Sequence, residues 1–345
     1  MAKYVFKRVL LALVTAFIIL SLTFILMKLL PYQKPIGQDN NLFSYYEKEV
    51  RLGYVASFTN ERPDMGELLF SYKLDKATTY YYYQVPVMEQ YGHWLSNILT
   101  KWDWGYSTEI RQNVSAMVLI GEGLSVSIKL NIISVLISVP IGILLGIVAA
   151  LKKNTAVDNF ISTAVMVFIS VPNFILITLL MLWLCYSAKL LPTQFPFPTD
   201  PPEKQALGYV LPVICLSFGS ICGYCRFTRA ELCDVMSSEY LLLARTKGLT
   251  KRQAILRHAL RNAMVPIFPS ILAEVIGLLG GSMILEQLYG IPGIGKLFIT
   301  ALNSKDFNVL FVDMAVFTSL GLLAGVILDL SYGFIDPRIR MGAKK

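Results

Sequence analysis

LSVSIKLNIISVLISVPIGILLGIVAA, residues 124–150, holds one charged side chain, Lys129, in a run of aliphatic and small residues. A helix needs roughly 20 apolar residues to cross the hydrocarbon core of a bilayer, and this stretch is long enough. Five further blocks fit the same template, at 9–30, 160–186, 209–224, 264–288 and 309–335. Composition agrees. Of the 345 residues, 55% are hydrophobic and 16% charged, where a soluble domain carries about a quarter charged residues. The expected fold class is an all-α integral membrane protein with six transmembrane helices. The first block follows Lys3, Lys7 and Arg8. It exceeds the apolar core of a signal peptide and lacks a small-residue cleavage site, so 1–31 reads as a retained helix.

Lys and Arg set the orientation of such a bundle. With the N-terminus inside, the loop bearing Lys152 and Lys153, the segment from Arg226 to Arg261, and the tail with Arg338, Arg340, Lys344 and Lys345 all fall on the same side. Both termini are therefore expected in the cytoplasm, with the chain in a plasma or inner membrane. The net charge of +8 reflects this placement beside membrane lipid, and no nucleic-acid partner is expected. Segment 32–120 is polar and mixed in charge, with the aromatic run Tyr80 to Tyr83 and the cluster Trp102, Asp103, Trp104. It is expected outside, as a small subdomain or as a loop capping the helices, leaving 121–345 as the core. Gly142 with Gly146, Gly277 with Gly281, and Gly321 with Gly325 form GxxxG pairs that let helix backbones approach. Pro140, Pro172, Pro212 and Pro266 are expected to interrupt or kink spans. The pair Cys222 and Cys225 reads as small apolar packing residues.

The segment between the fourth and fifth blocks is too long for a simple link. Ser237 and Ser238 precede a helix-compatible run from Glu239 to Lys247, and Gly248 stops it. Thr250 and Gln253 have the spacing of a capping box. A second helix follows, with Ile255, Leu256, Ala259, Leu260 and Ala263 on one face and Arg257, His258, Arg261 and Asn262 elsewhere. Two short helices meeting at a glycine make a protrusion on which a partner can dock. A basic amphipathic segment lying on anionic lipid is the competing reading.

These residues carry a resemblance. Glu239-Tyr240-Leu241-Leu242-Leu243-Ala244-Arg245-Thr246-Lys247-Gly248-Leu249, then Arg257 to Asn262 and Pro266, resembles the coupling loop of ABC importer permeases in the dipeptide, oligopeptide and nickel group. Asp103-Trp104-Gly105-Tyr106-Ser107, Ser170-Val171-Pro172-Asn173-Phe174, Ile291-Pro292-Gly293-Ile294-Gly295 and Asp336-Pro337-Arg338-Ile339-Arg340 resemble further elements of that family in the family's order. The pattern is most similar to the B-type membrane subunit of oligopeptide permeases. The glutamate of the general motif falls on Leu242, and 32–101 is longer than the usual family loop. The resemblance implies an importer-type ABC permease bundle with cytoplasmic coupling helices and an extracellular insertion. It implies peptide import by alternating access, with nickel or another small solute as the alternative. The implied partners are a second homologous permease, two cytoplasmic ATPases that hold the ATP and Mg, and an extracellular solute-binding protein. Within 237–262, it gives Glu239, Ala244, Arg245, Lys247, Gly248, Leu249, Arg257, His258, Arg261 and Asn262 to ATPase contact.

Other chemistry is thin. Gly290 to Lys296 nearly spells a P-loop, but Leu297 stands where Ser or Thr would hold magnesium, and an apolar span precedes it rather than a strand. The two His, His93 and His258, form no metal-ligand cluster, and no nucleophile with a spaced base is present. No catalytic residue, metal or bound cofactor is expected, and a channel or scaffold acting without ATPases is the rival class. Charges inside spans are costly and often functional. Lys129, Glu274 and Asp329 are therefore expected along a translocation path, or else paired with neighbouring helices, as with Glu274 to Lys129.

Overall fold

The computed structural model describes residues 2–30, 38–75, 78–277 and 281–335. Among the described residues, five helices are long and apolar enough to cross a membrane: Val5–Lys28, Ala116–Leu151, Pro202–Met236, Lys251–Gly277 and Phe307–Ser331. A bent pair, Ala156–Ser170 with Asn173–Ser187, makes a sixth when taken as one span. In chain order the helices are α1 (Ala2–Lys28), α2 (Asp39–Leu52), α3 (Val87–Lys101), α4 (Ala116–Leu151), α5 (Ala156–Ser170), α6 (Asn173–Leu180), α7 (Pro202–Met236), α8 (Glu239–Thr246), α9 (Lys251–Ala254), α10 (Leu260–Gly277), α11 (Met283–Tyr289), α12 (Ile294–Ser304) and α13 (Phe307–Ile335). Strands β1 (Val55–Phe58), β2 (Leu68–Lys73) and β3 (Thr79–Gln84) lie between α2 and α3.

Contacts divide the chain into two units. The first is Met1–Ser125 with Pro292–Leu322, and the second is Val126–Ile291 with Leu323–Lys345. In the first, the segment after α1 is folded. Its sheet is antiparallel with order β1-β3-β2. The tyrosine run forms the central strand, and both Tyr82 and Tyr83 are buried. Tyr82 stacks with Tyr46 of α2 at 5.3 Å, and Tyr46 stacks with Phe70 at 4.9 Å. A strand covered on both faces loses the apolar–polar alternation by which sequence reveals strands. Phe24 of α1 stacks on Trp94 of α3 at 4.8 Å and meets Phe311 of α13 edge-on at 5.9 Å.

The Asp103–Ser107 element proves to be a clamp. Asp103 Oδ1 accepts from the Gly105 N–H at 3.1 Å, and Gly105 sits at φ +91°. Asp306 Oδ2 accepts from Ser107 Oγ at 2.5 Å and from the N–H groups of Thr108, Glu109 and Ile110 at 3.0, 3.1 and 3.2 Å. Its Oδ1 accepts from Val309 N–H at 3.4 Å, the N-cap position of α13. Asn308 Nδ2 donates to Tyr106 O at 2.9 Å. One carboxylate thus joins the loop before α4 to the start of α13.

In the second unit, the Gly142/Gly146 pair seats α4 on α7. A Cβ on Gly146 would lie 2.7 Å from Cys225 O and from Thr228 Cβ, and one on Gly142 would lie 2.7 Å from Tyr224 Cβ. The glycines at 277, 321 and 325 have open space where a Cβ would be. Gly146→Ala is therefore expected to cost about 1–3 kcal/mol, since backbone cannot yield as a flexible side chain does. Gly321→Ala is expected to change stability by less than about 0.5 kcal/mol. Thermal unfolding of the two variants in detergent checks the contrast, and equal losses would refute it.

Several expected spans change. The block 160–186 breaks at Val171–Pro172 with a 98° bend, because proline supplies no N–H and clashes with the preceding turn. Pro140, Pro212 and Pro266 sit inside continuous helices. The block 209–224 is the middle of a 35-residue helix that continues to Met236. The block 264–288 is not one helix: α10 ends at Gly277, and α11 starts afresh at Met283. Asp336 to Arg340 and the last lysines lie outside the described residues. All five cysteines are free and buried, with Cys222 and Cys225 packed beside Val165.

Candidate functional site

α7 runs past the expected membrane block and turns directly into the 237–262 protrusion. Ser237 Oγ donates to Asp234 O at 2.9 Å and Ser238 Oγ to Val235 O at 2.5 Å, so the hinge is tied back to α7. α8 then closes in a Schellman motif. Leu249 N–H reaches Ala244 O at 3.4 Å, and Gly248 N–H reaches Arg245 O at 3.0 Å. Gly248 takes φ +94°, and a Cβ there would meet nothing within 4 Å. The capping box is formed: Gln253 N–H donates to Thr250 Oγ1 at 3.3 Å, and Thr250 N–H to Gln253 Oε1 at 3.1 Å.

The second helix departs from its expected face. Ala254, Ile255, Ala259 and Ala263 are buried with Leu241, Leu232 and Ala150, whereas Leu256, expected on that face, is 57% exposed. Residues Ile255–Ala259 form a wide π turn. The extra residue per turn rotates the register, which a strict 3.6 period does not foresee. Leu242 and Leu243 are exposed as well. The outer surface thus mixes these leucines with exposed Glu239, Arg245, Lys247, Gly248, Arg257, His258, Arg261 and Asn262, while Ala244 and Leu249 are half-buried beneath.

The three charges expected along a path do not meet in one ion-paired or hydrogen-bonded group among the described residues. Glu274 on α10 accepts from Ser220 of α7, and the Tyr224 hydroxyl interacts with both Glu274 and Ser270. Its partners are therefore hydroxyls of a neighbouring helix, and Lys129 is exposed on α4. Asp329 is half-buried on α13.

Sequence reasoning gave no partner to two buried carboxylates in this unit. Asp158 at the start of α5 is 1% exposed and takes a forked bond from Arg229 of α7, at 2.5 and 2.8 Å. Ser162 Oγ and Asn154 N–H also donate to it. In sequence, Arg229 is one more basic residue beyond an apolar block, and nothing local marks its partner 71 residues away. Glu286 of α11 accepts from Ser127 Oγ of α4 at 2.8 Å and from Ser282 N–H at 3.2 Å.

Residues 142–341, which include the whole protrusion, match the family model described as binding-protein-dependent transport system inner membrane component. The chain is similar to the dipeptide transport system permease protein DppB of Bacillus subtilis, with 30% identity over 344 residues and 100% of each chain covered. It is similar to the oligopeptide transport system permease protein OppB of Escherichia coli K12, with 29% identity over 341 residues, covering 99% of this chain and 100% of the relative. Among solved structures, an inward-facing form of the MetNI methionine ABC transporter shares the fold with TM-score 0.51 at 16% identity, covering 64% of this chain and 97% of that one.

Proposed function

This chain belongs to the family of binding-protein-dependent transport system inner membrane components, and from that premise we propose that it is one membrane-spanning subunit of an ATP-driven importer of dipeptides or oligopeptides. It works beside a second, related permease. Two cytoplasmic ATPases bind and hydrolyse ATP with Mg, and a solute-binding protein delivers the peptide from outside. Both termini and the protrusion face the cytoplasm. The peptide class is supported by the relatives, whose names are those of dipeptide and oligopeptide permeases.

The observation that carries this reading is the protrusion. Its inner face is buried on the ends of α4 and α7, and both its corner and its second helix start are locked by backbone hydrogen bonds. Its outer face exposes leucines among basic residues, as a docking surface does. A body built this way passes a push on α8 and α9 into α7 and α10 without bending. Glu239, Ala244, Arg245, Lys247, Gly248, Leu249, Arg257, His258, Arg261 and Asn262 form or support that contact. ATP can switch the bundle only through contacts that differ between its states, and this surface is where such contacts act. Glu274, Asp329 and Lys129 are assigned to the solute path. Glu274→Gln is expected to lower peptide uptake, and unchanged uptake with unchanged ATPase stimulation would remove it from that role.

The test of the whole reading replaces both Leu242 and Leu243 by Asp. Co-purification of the ATPases and ATP-dependent uptake of labelled peptide in proteoliposomes should both be lost. Retention of both would defeat the reading in favour of a channel or scaffold. Gly248 gives a graded companion. Gly248→Ala is expected to destabilise the protrusion by about 1–2 kcal/mol through left-handed strain alone, and Gly248→Val by more. Protection of the α8 amides in hydrogen exchange reports it.

A further inference from the structure

The first unit holds a partly open cavity of about 340 Å³, within the size range of small-molecule sites. Phe24, Trp94, Trp104 and Phe311 give it an aromatic wall. Four charged groups also line it, Lys28 at the end of α1, Glu49 on α2, Glu109 in the loop before α4 and Lys305 just before α13. Glu109 and Lys305 have partners of their own, which leaves Lys28 and Glu49 as the pair to be answered. Glu49 is 4% exposed. Burial holds its carboxyl above the usual range, against the opposing pull of Lys28 and a hydrogen bond from Asn308. The Lys28 ammonium lies 4.2 Å from the centre of the Tyr54 ring, a cation–π seat. Lys28 and Glu49 feel each other electrostatically, yet no ion pair within 4.0 Å joins them. A buried anion and a half-buried cation that are not in contact are costly. A ligand that carries the opposite charges and bridges the gap converts that cost into charge-assisted hydrogen bonds.

We propose that this cavity is a binding site for a small zwitterion of the amino-acid or dipeptide class, its carboxylate on Lys28, its ammonium on Glu49 and its side chain against the aromatic wall. The dipeptide member of that class rests on the transport reading above. The site then holds solute on the permease itself and uses none of the residues assigned to the path. It selects for free termini, because one terminus answers Lys28 and the other Glu49.

Trp94 and Trp104 are two of the four tryptophans in the chain and report occupancy directly. The full chain in phosphatidylglycerol nanodiscs is titrated with leucyl-leucine while tryptophan emission is followed. A saturable change is expected, weakened about tenfold or more by N-acetylation and again by C-terminal amidation, since each removes a hydrogen bond to a charge. Lys28→Met should erase the difference between free and amidated peptide, and Glu49→Gln the difference between free and acetylated peptide. The blocked peptides test the wild-type chain even where a variant fails to fold. Equal responses to free and blocked peptides, or no saturable response, would overturn the proposal. So would a response to phosphatidylethanolamine nanodiscs with none to the dipeptide. Uptake of the same dipeptide by the wild-type transporter is measured in parallel. Uptake without an emission response defeats the cavity and leaves the transport reading standing, and a response without uptake does the reverse.

Discussion

Asp306→Ala is expected to lower the stability of the first unit by about 4–6 kcal/mol, because it strands several donors at once. The Oδ2 atom takes the Ser107 hydroxyl and the N–H groups of Thr108, Glu109 and Ile110. Asp306 is fully buried, so water replaces these bonds poorly, and each orphaned donor costs about 1–3 kcal/mol. The N-cap of α13 goes too, for about 1 kcal/mol more. Asp306→Asn keeps one acceptor oxygen for the loop donors, sets an NH2 group against the Val309 N–H and loses the charge, so a smaller loss of about 2 kcal/mol is expected. Chemical denaturation in detergent, followed by tryptophan emission, measures both. An alanine variant within about 1 kcal/mol of the parent would mean that the loop before α4 finds other partners, and the clamp would not be structural.

Arg229→Met is the second large effect. It leaves Asp158, 1% exposed, with only Ser162 and the Asn154 amide. Breaking one side of a buried pair costs about 3–5 kcal/mol, whereas replacing both sides by apolar groups can be nearly neutral. Asp158→Leu with Arg229→Met should therefore recover most of the loss, and a double-mutant cycle gives the coupling. Additive losses would show that the two side chains act independently. The pair joins α5 to the part of α7 that leads into α8, so the single variant should also uncouple ATP hydrolysis from uptake. The leucine–methionine double variant should restore coupling together with stability.

Much of this protein is readable without coordinates. The apolar blocks locate its spans, since span length depends on the bilayer and not on neighbours. Gly248 and the Thr250–Gln253 box locate the corner of the protrusion, since each works through hydrogen bonds a few residues apart. The β-sheet was not readable, because covering β3 on both faces removes the alternation that would betray it. Leu256 was misplaced because a π turn changes the period by one residue. The charges were readable as charges and not as pairs. Arg229 and Asp306 look like loop residues until the partners at 158 and 107–110 are known.

By itself, then, the sequence determined membrane residence, the approximate spans and the local shape of the surface assigned here to ATPase docking, all of which follow from hydropathy and short-range hydrogen bonding. Only the tertiary structure decided which carboxylates are clamps, that Pro172 breaks a helix while Pro140 and Pro212 do not, which glycine pair seats one helix on another, and that Lys28 and Glu49 face one cavity. Those outcomes depend on groups up to 199 residues apart. Their energies come from desolvation and close contact, which exist only once the chain has brought the partners together.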